Sequence, residues 1–91
     1  MMKVAKKDGE KEELDEGKLW DSLYWPAREA HHSHDDAVEL ADQVKEDLMQ
    51  WLHEHEDNVA TSKEIRDKAI ELLEEVDHGI RLMYEKHLDI N

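Results

Sequence analysis

The apolar residues of this chain recur at three- and four-residue steps over most of its length, after a short opening stretch that alternates instead. Ala37, Leu40, Ala41, Val44, Leu48, Trp51 and Leu52 form one such series and leave Glu39, Asp42 and Glu46 to water, which is the pattern of an amphipathic helix. Ser33, with Asp36 three residues on, opens it like a capping box and predicts a helix over 34–52. Thr61 and Glu64 have the same spacing before Ile65, Ala69, Leu72, Leu73 and Val76, predicting a helix over 62–76. The period runs on through Ile80, Met83, Tyr84 and His87. Asp77 and Gly79 supply a cap and a flexible residue for a sharp turn, so a separate helix is expected over 78–88. Asp15 is the natural N-cap of a first helix, over 15–25, with Leu19, Trp20, Leu23 and Tyr24 on one side. Pro26 lacks an N–H and crowds the preceding turn, so this helix should end or kink near Trp25. Ala27 to Ser33 then reads as a connection with some helical content, and polar His53 to Ala60 as a loop.

Ahead of the helices, Met2 to Lys7 alternates loosely, Asp8 and Gly9 favour a tight turn, and Lys11 to Leu14 can return as a second strand, giving a hairpin over about 2–14. The expected fold is mainly α with a small β-hairpin: a four-helix bundle-like core capped by an N-terminal β-hairpin. No internal repeat, low-complexity tract or linker divides residues 1–91, which suffice for one modest core and are read as a single domain.

Charge narrows the function. The formal net charge is −13, which opposes a nucleic-acid partner, because binding a polyphosphate chain depends on a basic surface. The cations are unevenly placed. Lys3, Lys6, Lys7, Lys11 and Lys18 nearly balance the acids of the first eighteen residues, whereas the remainder is strongly acidic. No apolar run approaches the roughly 20 residues of a membrane span, and nothing resembles a signal peptide, so a cytoplasmic protein without a membrane partner is expected. With no Cys, thiol nucleophiles and Cys-ligated zinc are excluded. No nucleophile and base are convincingly spaced and no phosphate-binding glycine loop is present, so the chain is not expected to be an enzyme.

The order Val4, Lys6, Lys7, Asp8, Gly9, Glu12, Leu14, Asp15, Lys18, Leu19 resembles the opening of the ATP-cone, a small regulatory domain whose pattern is close to Val-x-Lys-Arg-Asp-Gly-x-x-Glu-x-Phe-Asp-x-x-Lys-Leu. Lys7 replaces the Arg and Leu14 the Phe. Thr61, Ser62, Ile65, Ala69, Leu73, Asp77, Arg81, Met83 and Tyr84 extend the resemblance over nearly the whole chain. It implies ATP or dATP as ligand, with Mg2+ as its accompanying ion, and an ATP-cone-like, non-catalytic mode of allosteric regulation. The nucleotide-binding set is then Val4, Lys6, Lys7, Glu12, Asp15, Lys18, Thr61, Ser62 and Arg66.

Each member has an ordinary alternative. Lys6 and Lys7 are either solvated strand lysines or ligands of a triphosphate through charge-assisted hydrogen bonds, which Lys18 can join from the first helix. Val4 and Leu14 are hairpin core or the apolar floor beneath an adenine ring. The resemblance implies that Glu12 and Asp15 read the base amino group or a sugar hydroxyl, while Asp15 also fits a cap. Thr61, Ser62 and Arg66 stand at a helix N-terminus, where free N–H groups favour an anion and where a plain capping box is equally natural.

In the family such domains are usually fused to ribonucleotide reductase catalytic subunits or to a zinc-ribbon repressor of their genes. A free-standing copy would act on a separate enzyme such as a ribonucleotide reductase, or as a homo-oligomer. Two further readings compete: a helical protein–protein interaction module with a degenerate cone fold, contacting partners through Trp20, Trp25 or Trp51, and a metal-responsive module. The latter would use His31, His32 and His34 with Asp35 and Asp36, and His53 and His55 with Glu54, Glu56 and Asp57, but their spacing fits no zinc signature and no metal site is assigned.

Overall fold

The computed structural model describes residues 3–5, 11–55 and 59–90; the expected turn at Asp8 and Gly9, with Lys6 and Lys7, lies outside the described residues. Strands β1 (Lys3–Ala5) and β2 (Lys11–Glu13) are followed by helices α1 (Glu16–Glu29) and α2 (His34–His53), strand β3 (Val59–Thr61), and helices α3 (Ser62–Val76) and α4 (His78–Ile90). The fold is mainly α, as the periodicity predicts.

The caps form as their sequences suggest. Asp15 Oδ1 accepts from the Lys18 amide at 3.0 Å, and Ser33 Oγ from the Asp36 amide at 3.2 Å. At α3, Thr61 Oγ1 accepts from the Glu64 amide at 3.1 Å while Glu64 Oε1 accepts from the Thr61 amide at 3.0 Å, a reciprocal capping box. Each such cap contributes about 1 kcal/mol.

Two expectations are corrected. The His53 to Ala60 loop ends in a strand: β3 pairs parallel with β1, Val4 opposite Ala60, while β2 pairs antiparallel with β1, Val4 opposite Glu12. The hairpin is therefore two-thirds of a mixed three-stranded sheet with β1 in the middle. Nor does α1 stop near Trp25. It passes through Pro26 to Glu29, so most of the expected connection is helix. A proline inside a helix costs about 3 kcal/mol. Here its ring is fully buried, at about 0.8 kcal/mol per CH₂. The next residue, Ala27, has no exposed surface, so packing offsets most of the loss.

Leu23, Val44, Leu48, Leu52, Leu73, Ile80 and Tyr84 fill the core, and Ala27, Ala37, Ala41 and Ala69 let the helices approach closely. α1 is tied to α2 by Trp20 Nε1 donating to Asp42 at 2.7 Å, by Tyr24 Oη against His34 Nδ1 at 2.7 Å, and by Lys45 against Glu16 at 3.3 Å. Val76, placed in the core by its periodicity, is instead 54% exposed at the end of α3.

Candidate functional site

Because β3 runs directly into α3, its parallel pairing with β1 fixes the start of α3 beside Val4. The antiparallel partner β2 leads through Leu14 and Asp15 into α1, which fixes the start of that helix on the same side of the molecule. Between the sheet and the two helix N-termini lies a cleft of about 440 Å³. Val4, Leu14, Leu19 and Ile65 provide its apolar wall, and Glu13, Asp15, Lys18, Ser62 and Arg66 its polar groups. That volume lies within the ~300–1,000 Å³ usual for small-ligand sites.

Five of the nine sequence-derived site residues line this one cleft: Val4, Asp15, Lys18, Ser62 and Arg66. Lys6 and Lys7 lie outside the described residues; Glu12 is described as backbone only, opposite Val4. Thr61 does not line the cleft; its hydroxyl caps α3. Glu13 and Ile65 are site-lining residues that the sequence reading did not single out. Ile65 counted there as core, which is half true, since it is partly buried at the cleft wall.

The electrostatics of the cleft are uneven. Elsewhere Lys45, Lys63, Lys68 and Arg81 are answered by Glu16, Asp67, Glu71, and Glu74 with Glu85. Among the described residues, Lys18 and Arg66 have no ion-pair partner, which outside the cleft is also true of Arg28 and Lys86. The N-terminal dipole of α3 is partly neutralised by Glu64, whose carboxyl is held below its usual range first by the Thr61 amide and then by the Thr61 hydroxyl. Attraction for an anion therefore rests on the two side-chain cations more than on the helix end. Glu13 and Asp15 line the same cleft, so it presents carboxylate acceptors as well as cations to a bound molecule.

Several of the histidines are engaged in structure. His32 Nε2 lies 2.8 Å from Asp77, His34 Nδ1 contacts Tyr24, and His55 Nδ1 lies 3.1 Å from the Trp51 carbonyl. Among the described residues no group of three or more His, Asp or Glu side chains is arranged to hold a metal ion, and no helix is long and apolar enough to cross a membrane.

A helical domain whose sheet and two helix starts enclose a cleft with two cations, apolar walls and carboxylate acceptors has the build of a small ligand-binding module. The chain belongs to the ATP-cone family: the model of the ATP cone domain matches residues 2–84. Domains of this family are regulatory, non-catalytic modules that bind ATP or dATP. Among curated proteins, none matches the chain.

Proposed function

We propose that this chain binds ATP or dATP in the cleft at the starts of α1 and α3, does not hydrolyse it, and uses the bound nucleotide to change its association with a second protein or a second copy. The supporting observation is that Lys18 and Arg66, from helices distant in sequence, line one cleft without ion-pair partners among the described residues, in a chain of net charge −13. The triphosphate meets Lys18 and Arg66, joined by Lys6 and Lys7, with the Ser62 hydroxyl as a further donor and Mg2+ as the nucleotide's counter-ion. The base lies against Val4 and Leu14, and Glu12 and Asp15 accept from its amino group or from the ribose. Thr61 contributes by fixing where α3 begins.

The output surface in this reading includes Trp25, which stands 57% exposed beside Pro26, since exposed tryptophan is favoured at interface centres. A separate enzyme of nucleotide metabolism, such as a ribonucleotide reductase, is the partner class that suits the ligand, and the cytoplasm the compartment. Calorimetry tests the binding claim. ATP and dATP should bind at low-to-mid micromolar affinity, about 7 to 8 kcal/mol. Lys18→Ala and Arg66→Ala should each weaken binding about tenfold, and the Lys6→Ala/Lys7→Ala double variant at least as much. Folded protein that gives neither heat nor a thermal shift with any adenine nucleotide would falsify the proposal.

A further inference from the structure

Between α2 and the C-terminal end of α3 runs a second groove, of about 460 Å³, which the nucleotide reading does not use. Its floor is Leu40, Val44 and Leu72, and Val76 stands exposed at its edge. Its rim carries Asp36, Glu39 and Asp47 from α2 and Glu75 from α3, and no Lys or Arg among the described residues lines it. Asp47 accepts from Gln43 at 3.1 Å, but among the described residues Glu39 and Glu75 have no ion-pair partner. Glu75 also sits in the last turn of α3, which has no basic residue, so its charge adds to the negative end of the helix dipole. An apolar floor is thus flanked by negative charge that the described residues do not neutralise.

We propose that this groove docks a basic amphipathic helix of a separate protein. The groove positions on α2 recur from Asp36 to Asp47, about three helical turns or ~16 Å, the footprint of a short helix lying along a trough between two others. Apolar side chains at three- and four-residue spacing would cover Leu40, Leu72 and Val76, while flanking Arg or Lys would meet Glu39 and Glu75. A second copy of this chain is the wrong occupant, because each copy carries −13 and the rim would face further carboxylates. Free nucleotide is excluded for the same reason.

The probe is a labelled synthetic helix of about four turns, with Leu on one face and Arg on both flanks, followed by fluorescence anisotropy. Micromolar binding is expected. The exposed-residue double variant Glu39→Lys/Glu75→Lys should weaken it by about tenfold or more, and Val76→Ser by about threefold. Asp21→Lys/Glu54→Lys makes the same change in net charge outside the groove and should cost less than about threefold. Circular dichroism verifies that each variant is folded. Absence of binding, equal loss in both double variants, or equal binding of spermine or of a peptide with Glu in place of Arg would overturn the proposal.

Discussion

Asp77 holds three parts of the fold with one side chain and one amide. Its N–H donates to the Leu73 carbonyl at 2.8 Å, its Oδ1 accepts from the Gly79 amide at 2.7 Å, and its Oδ2 lies 2.8 Å from His32 Nε2 in the α1–α2 connection. These contacts hold the carboxyl below the usual aspartate range, the His32 hydrogen bond first and the Gly79 amide second. A carboxyl depressed in the folded state contributes stability that is present above its unfolded pKa and lost as pH falls through the folded one. The window therefore opens below about pH 4. Asp77→Asn keeps an acceptor for Gly79 and removes the charge. Thermal unfolding should show the variant less stable than the parent near neutrality, with the gap closing as pH falls below about 4. A gap that stays constant throughout would mean that geometry, and not charge, is what Asp77 supplies. Glu64 and Glu74 shift in the same direction, held by the Thr61 amide and by His78, but both are exposed and screened.

The end of α1 shows what a sequence can and cannot disclose about an element. His31 N–H donates to the Arg28 carbonyl and His32 N–H to the Ala27 carbonyl, both at 3.1 Å, with His31 at φ 72°. This is a Schellman termination with a non-glycine residue in the left-handed position, where a β-carbon costs roughly 1 kcal/mol. His31→Gly should raise stability by about 0.5–1 kcal/mol, the gain being reduced by the greater freedom of unfolded glycine. In denaturant melts this would appear as a higher midpoint at unchanged slope; a lower midpoint would show that the His31 side chain has a role of its own. Pro26 displayed its local cost in the sequence but not the burial that offsets it, so the reading cut α1 short. The long helices were legible because a 3.6-residue period and the caps at Asp15, Ser33 and Thr61 are local signals. β3 was not, because three residues carry no period and its partner β1 lies far upstream. The candidate site shared that limit. Its lysines, arginine and carboxylates were visible one by one, but only the parallel β1–β3 pairing sets Arg66 into the cleft that Lys18 also lines.

The whole molecule carries −13, and this sets how its two proposed outputs should respond to salt. Two copies repel over a distance set by the Debye length, about 30 Å at 0.01 M and about 8 Å at 0.15 M ionic strength. Nucleotide-driven self-association through the Trp25 surface must overcome that repulsion, so added salt should favour it. A basic helix on the α2–α3 groove is drawn in by the same charge, so added salt should weaken it. ATP adds negative charge of its own, but at a cleft whose cations it neutralises, so its effect on association must come from differential binding to one assembly and not from charge alone. Light scattering should therefore show a mass increase with ATP or dATP that is larger at about 0.15 M salt than at about 0.01 M, and smaller in Trp25→Ala at both. The peptide affinity measured in parallel should move the opposite way, with no dependence on Trp25. If mass is the same with and without nucleotide at every ionic strength, self-association is not the output, and regulation has to pass through a different protein. If mass rises with nucleotide but falls with salt, the contact is electrostatic and the Trp25 surface is the wrong one.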